Sequence, residues 1–357
     1  MRAYNFSAGP STLPLDVLEE AKRDLLDFSG TGMSVTEISH RNKAFSALVE
    51  EAEQLMRELL HIPNNYAVIF VQGGASTQFA AVPLNLMHNR KADYLVTGNF
   101  AKKAYEEGKI YGDAVAVASS ADQTYTYIPD LSAVPFRDGT DYVHICSNNT
   151  IFGTRYVEFP DTKAPLVADM SSEILSREID VNRFGVIYAG AQKNLAPAGV
   201  TIVIADRALI QNPLPACPTM LQWKVQDENK SLYNTPPCFP IYIATLVLRK
   251  LKANGGIKAM NEINEFKAGL LYDFIDNSSF YTNKVVKKYR SIMNVPFTTP
   301  NAELDDAFIK GAAKEGLVSL KGHRLVGGMR ASIYNAMPVE GVKSLIDYMK
   351  KFERENA

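Results

Sequence analysis

Hydrophobic positions recur along this chain in two rhythms. In residues 14–28, Leu15, Leu18, Leu25 and Leu26 have helical spacing, and 43–60 reads as a long Glu-rich amphipathic helix that Pro63 ends. Beyond it, short apolar runs predict strands at 66–71, 94–96, 114–118, 142–146, 166–168, 186–188 and 200–204. Helical spacing at 77–87 and 100–107 separates the first of them. This alternation predicts an α/β fold with a mostly parallel sheet of the seven-stranded type, sandwiched by helices. A helix at 241–252 is followed by the turn Asn254-Gly255-Gly256, where the pattern changes. Helices at 258–275, 302–314 and 339–352, with short strands at 293–297 and 329–333, then predict a smaller C-terminal α+β domain. The expected division is 1–15 as a segment at the domain junction, 16–256 as the large domain and 257–357 as the small one.

At 357 residues the chain is too long for one core and suits two domains. Its 46% hydrophobic and 22% charged content is that of an ordinary globular protein, and a net charge of −1 with no block of one sign gives no reason to expect nucleic-acid or membrane binding. The opening MRAYNFSAGP lacks a charged-then-apolar signal region, and no apolar run approaches membrane-spanning length. Three cysteines, Cys146, Cys217 and Cys238, cannot all pair and form no metal-like cluster, so reduced thiols in a cytoplasmic protein are expected.

Candidate chemistry centres on Gly185–Asp206, where two β-branched runs flank a turn of small residues that carries Lys193. An amine enclosed at strand ends has its pKa lowered toward neutrality, which suits a nucleophile or Schiff-base partner. Asp169 closes another short strand, one strand–helix–strand step earlier, where open α/β sheets bind ligands. The turn Gln72-Gly73-Gly74-Ala75-Ser76 joins a strand to a helix and offers backbone N–H groups to a phosphate, although it is neither a dinucleotide fingerprint nor a P-loop. A lysine for an aldehyde, a carboxylate for a ring nitrogen and a phosphate cradle together suit pyridoxal phosphate, and Phe100 could lie against its ring.

The residues also carry a resemblance. Asn5-Phe-Ser-Ala-Gly-Pro10, Ser39-His40-Arg41, Gln78 to Pro83, Tyr188 to Asn194, Asn234 to Pro237, Lys321 to Arg324 and Gly327 to Asn335 closely resemble the phosphoserine aminotransferase family of fold-type I, class-V pyridoxal phosphate enzymes. The resemblance spans the whole chain. It implies that Lys193 binds the cofactor aldehyde and moves the proton at the substrate's Cα, and that Asp169 pairs with the pyridine nitrogen. It gives Ala75, Ser76 and Gln192 to the cofactor phosphate, Thr150 to the ring hydroxyl and Phe100 to the ring face. Asn234 and Thr235 would reach the phosphate from a second copy, making a homodimer with shared active sites. Arg330 resembles the arginine that takes the substrate α-carboxylate, and His40, Arg41, His323 and Arg324 the group that receives its distal anion, the last two from the partner chain.

The implied reaction interconverts 3-phosphohydroxypyruvate plus glutamate with phosphoserine plus 2-oxoglutarate in serine biosynthesis, with the phosphorylated hydroxythreonine of pyridoxine biosynthesis as a further substrate. Phe100 stands where many relatives have tryptophan, which changes the expected contact with the cofactor; Ser76 stands where some have arginine, which shifts the expected recognition of the distal phosphate onto Arg41, His323 and Arg324. The rival readings are a serine–glyoxylate transaminase, a cysteine desulfurase, for which no cysteine sits in an obvious exposed Gly/Ser-rich loop, and a non-catalytic phosphate-binding module.

Overall fold

The computed structural model describes residues 2–357. In chain order the main elements are β1 (Tyr4–Asn5), α1 (Leu15–Asp24), α2 (Lys43–Leu60), β2 (Tyr66–Val71), α3 (Gly74–Leu86), β3 (Lys91–Val96), α4 (Asn99–Tyr111), β4 (Asp113–Ser119), β5 (Tyr142–Cys146) and β6 (Leu166–Asp169). There follow β7 (Val186–Gly190), β8 (Thr201–Asp206), α5 (Trp223–Glu228), α6 (Cys238–Ala253), α7 (Gly256–Asn277), β9 (Asn294–Phe297), α8 (Ala302–Lys314), β10 (Leu317–Val318), β11 (Met329–Ser332) and α9 (Val339–Asn356).

The large sheet has the order β2-β8-β7-β6-β5-β3-β4. Every neighbouring pair is parallel except those made by β8, which runs against both β2 and β7. The strands β5, β6 and β7 are buried at every position, as strands covered on both faces must be, and this is why their sequences read as continuous apolar runs. One face packs under α2 and α6, through residues such as Phe45, Leu48, Met56, Ile243 and Leu248; the other packs under α3 and α4, through Phe79, Val82 and Ala104. A separate apolar cluster gathers β9, β11, α8 and α9 and includes Phe6 from the N-terminal segment. Helix α7 contributes Ile257 to the first cluster and Leu271 and Ile275 to the last, so it bridges the two.

Because β2 runs against β8 and β8 against β7, strands β2, β3, β5, β6 and β7 all end at the same edge of the sheet. That edge is where open α/β sheets gather ligand-binding loops.

Three local expectations change. The first helix stops at Asp24, because it buries only Val17 and Ala21, while Leu26 is 86% exposed. The link from β6 to β7 holds a short 3-10 helix, Val181–Arg183, and no α-helix among the described residues. There Asp180 accepts from the local Asn182 N–H at 3.0 Å, while the Ser172 hydroxyl donates across to the Asn148 carbonyl at 2.8 Å. The two-residue strands β1 and β10, which pair in parallel, and α5 are too short to carry a readable period. Among the described residues no helix is long and apolar enough to cross a membrane, and no three His, Cys, Asp or Glu side chains cluster to hold a metal.

Candidate active site

Lys193 sits in the tight turn between β7 and β8. The Leu195 and Ala196 N–H groups close that turn on the Ala191 carbonyl at 3.1 and 2.9 Å. The N-terminal segment straps it from outside: Ser11 N–H donates to the Gln192 carbonyl at 3.0 Å and the Ser11 hydroxyl to the Lys193 carbonyl. With its backbone fixed, the side chain extends to donate from Nζ to Thr150 Oγ1 at 2.7 Å, with Nζ 5.3 Å from the centre of the Phe100 ring. Burial pulls this amine below the ordinary lysine value; the negative charge of Asp169 opposes that shift, and the positive charge of Arg330 adds to it.

Asp169 is the last residue of β6 and is 5% exposed. Its Oδ1 accepts from the Ser171 N–H at 2.9 Å and the Ser171 hydroxyl at 2.6 Å. Burial raises the carboxyl pKa, against the opposing pull of Lys193 and of the two serine bonds. Ser171 also accepts from the Gly190 N–H at 3.0 Å, which ties the aspartate's turn to the strand that leads to Lys193.

Arg330 arrives from β11 of the smaller sheet. Its Nη1 reaches the Thr150 carbonyl at 3.4 Å, and no carboxylate pairs with it among the described residues. Its Nε is buried without a partner. Thr150 therefore meets both cations, Lys193 at its hydroxyl and Arg330 at its carbonyl. A half-buried guanidinium with a buried, idle Nε is costly unless an anion arrives to pair with it.

At the end of β2, Gly73 and Gly74 turn the chain into α3 with φ of +94° and +67°. A Cβ on Gly73 would come within 2.1 Å of Thr77 Oγ1, so this turn demands glycine. No side chain caps α3, which leaves the N–H groups of its first turn, at Gly74, Ala75 and Ser76, available to an anion. Gln192 lies beside Gly190 on the Lys193 turn. Asn234 and Thr235 lie close to this chain's own α3: the Gln72 amide donates to the Thr235 carbonyl at 2.8 Å, and Asn234 lines a cavity of about 300 Å³ with Gln72, Gly73 and Thr77.

The contacts thus join Lys193, Asp169 (through charge), Thr150, Phe100 and Arg330. His323 belongs to their periphery: burial and the charges of Arg330, Arg324 and Lys103 hold its imidazole below the usual histidine value, and its Nδ1 accepts from the Leu325 N–H at 3.2 Å. Arg324 is exposed on the same loop. His40 and Arg41 stand just before α2, half-buried and exposed respectively, and neither side chain makes a hydrogen bond or ion pair among the described residues. Sequence reasoning passed over Ser171 and Ser11. The first had a readable signal, a serine two positions after an aspartate that could fold back on it; the second is set by a contact 182 residues away along the chain.

The family model for class-V aminotransferases matches residues 3–345. The chain belongs to the class-V aminotransferases. Within them, it is 55% identical to the phosphoserine aminotransferase of Bacillus cereus over 99% of both chains. Among solved structures it superposes with TM-score 0.98 on the phosphoserine aminotransferase from Bacillus circulans subsp. alkalophilus, at 46% identity over 100% of this chain and 99% of that one. A phosphoserine aminotransferase from Trichomonas vaginalis with PLP bound matches with TM-score 0.94 and 39% identity over 98% of this chain and all of that one. The comparisons bear out the α/β fold expected from the strand–helix alternation and the aminotransferase family that the resemblance implied.

Proposed function

We propose that this enzyme interconverts 3-phosphohydroxypyruvate plus L-glutamate with O-phospho-L-serine plus 2-oxoglutarate, as a step of serine biosynthesis, and that its cofactor is pyridoxal 5′-phosphate. The observation that carries the reading is Arg330: a half-buried guanidinium beside the Lys193 amine, with an idle Nε and no carboxylate of its own. A cleft so built favours a substrate that brings an anion and an amine together.

The residues present fit the cofactor. Lys193 supplies the amine for its aldehyde, Asp169 the carboxylate for its ring nitrogen, Phe100 an apolar ring face, and the uncapped first turn of α3, with Ala75, Ser76 and Gln192, donors for its phosphate. Asn234 and Thr235 of a second copy complete the phosphate site in a homodimer. When bound, pyridoxal phosphate supplies an electron sink for the negative charge that develops at the substrate's Cα.

The chain's own residues do the rest. Asp169, oriented by two bonds from Ser171, holds a proton on the ring nitrogen. Lys193 Nζ, its pKa lowered by burial, takes the proton from Cα and returns it during the transfer. Thr150 aims the amine. Arg330 orients the α-carboxylate through two parallel hydrogen bonds. His40, Arg41, His323 and Arg324 receive the distal phosphate or carboxylate, so that glutamate and phosphoserine use one cationic cleft in turn. The phosphorylated hydroxythreonine of pyridoxine biosynthesis has the same pattern of anions and is accepted as well. Three unpaired cysteines accord with a cytoplasmic setting.

The desulfurase reading requires an exposed, mobile thiol; Cys146 and Cys217 are buried and Cys238 half-buried. The deciding experiment is a half-reaction panel on the purified, cofactor-loaded enzyme. Glutamate and phosphoserine should each bleach the cofactor's visible band, and phosphohydroxypyruvate should restore it. Bleaching by serine or alanine with no response to phosphoserine would overturn the assignment.

A further inference from the structure

Behind the cleft, three consecutive backbone carbonyls are held by three asparagine side chains from distant parts of the chain. Asn194, the residue after the reactive lysine, donates from Nδ2 to the Ile174 carbonyl at 3.0 Å. Asn335, beyond the arginine strand β11, donates to the Leu175 carbonyl at 2.9 Å. Asn264, on the bridging helix α7, donates to the Ser176 carbonyl at 3.0 Å. The asparagines are also bonded to one another: the Asn335 N–H donates to Asn194 Oδ1 at 3.0 Å, and Asn264 Nδ2 to Asn335 Oδ1 at 2.9 Å.

The carbonyls gripped in this way lie on a strained piece of backbone. Leu175, 1% exposed, has φ of +63°, a left-handed conformation that a branched residue keeps only where its surroundings over-determine it. One helical turn beyond Asn264, Lys267 is fully buried and donates from Nζ to the carbonyls of Ile333, Tyr334 and Met337 at 3.0, 2.9 and 3.0 Å. No carboxylate pairs with it among the described residues. Burial pulls its amine down to about 7, while three carbonyl acceptors, one for each ammonium proton, favour the charged form. Without it the Ile333 and Met337 carbonyls would lose this donor, and the Tyr334 carbonyl would keep only the Met337 N–H. None of these groups touches the reacting centre, yet together they reach the Lys193 turn, the segment that follows Asp169 and the segment that follows Arg330.

We propose that Asn194, Asn264, Asn335 and Lys267 form a positioning clamp that fixes the amine of Lys193, the carboxylate of Asp169 and the guanidinium of Arg330 relative to one another across the junction of the two apolar cores. Lysine and aspartate come from the large sheet and the arginine from the small one, so their spacing depends on this joint. The proposal rests on the reading of Lys193 and Arg330 as the reacting pair. Its first test is independent of that reading.

The test uses Asn335→Ala and Asn264→Ala, each of which cuts the clamp while leaving Lys267 in place. Amide hydrogen exchange on the unloaded full-length chain reports the joint itself. The clamp requires exchange in 170–176, 191–196 and 333–337 to quicken together by about tenfold or more, with the amides of α2 unchanged. Steady-state kinetics on the loaded enzyme then reports its use: the KM for glutamate should rise by roughly tenfold in both variants. The effects of the two substitutions should also be less than multiplicative in the double variant, since they share one hydrogen bond. Exchange that quickens in one segment alone or uniformly along the chain, or an unchanged KM, would overturn the proposal. If wild type uses neither glutamate nor phosphoserine, the functional reading fails and the exchange result still decides the clamp.

Discussion

Replacement of Arg330 separates its role from that of a merely structural cation. Its backbone belongs to β11, where the N–H donates to the Leu320 carbonyl at 2.7 Å, so Arg330→Lys keeps the strand and the charge and removes only the planar fork. In the free enzyme the guanidinium uses one donor weakly, Nη1 to the Thr150 carbonyl at 3.4 Å, and its Nε has no partner. Nearly all the donors it offers are therefore free of partners within the chain. Each charge-assisted bond contributes about 1.5–3 kcal/mol. Two parallel bonds to a carboxylate then amount to roughly 3–6 kcal/mol, or about 10²–10⁴ in kcat/KM at 1.4 kcal/mol per tenfold. Arg330→Ala should lose that range, and Arg330→Lys, which keeps one bond, about 10–10². The assay is single-turnover bleaching of the loaded enzyme by glutamate and, in parallel, by alanine, which has an α-carboxylate and no distal anion. If Arg330 takes the α-carboxylate, both donors lose the same factor. A loss below fivefold with glutamate refutes the role, and a loss confined to glutamate assigns Arg330 to the distal anion instead.

Three further outcomes are expected. Gly73→Ala places a side chain at φ +94° and within 2.1 Å of Thr77 Oγ1, at about 1–3 kcal/mol of strain, and should raise the half-saturating cofactor concentration in a fluorescence titration about tenfold or more. Gly74→Ala also places a side chain at positive φ, +67°, but its Cβ meets nothing within 4 Å, so it should do less; equal effects would argue against the steric part of this reasoning. In the unloaded chain, Lys193 should react with a small aldehyde in its neutral form, with a pH midpoint below the ordinary 10.5. The Asp169 charge favours the ammonium form, so Asp169→Asn should move that midpoint to still lower pH, and a rise would contradict the electrostatic coupling of the two groups. Arg41→Ala removes an exposed cation and should raise the KM for phosphoserine roughly fivefold, the scale of about 1 kcal/mol for an exposed charge pair. An unchanged KM would take Arg41 out of the distal-anion group.

The sheet was legible because its inner strands are buried on both faces and read as nearly unbroken apolar runs; 142–146 and 66–71 are bounded in the structure as the pattern predicts. The amine and the carboxylate were legible for a related reason, since a polar residue that ends such a run has one place to point. Helix α1 was overextended because spacing alone cannot tell that Leu26 finds nothing to pack against. Contacts made between distant segments leave no local pattern. Ser11 on the lysine turn, Thr150 between two cations and Asn335 on a strained turn are ordinary polar residues in sequence, and only the fold shows what each one holds.

On the roles proposed above, Thr150 would also link substrate binding to the proton transfer. Its two oxygens hold Lys193 and Arg330 in one cleft, where the positive charge of Arg330 depresses the proton affinity of Lys193. Before substrate arrives that suits a nucleophile, which must be neutral. A carboxylate paired with Arg330 cancels much of its charge, and this removes one of the two effects that hold the amine's pKa down. On the proposed mechanism, Lys193 would then gain affinity for a proton at the stage when it takes one from Cα. The arginine proposed to orient the substrate would thus also tune the proposed base. Arg330→Lys preserves the charge and should keep this coupling, whereas Arg330→Ala removes it along with the fork.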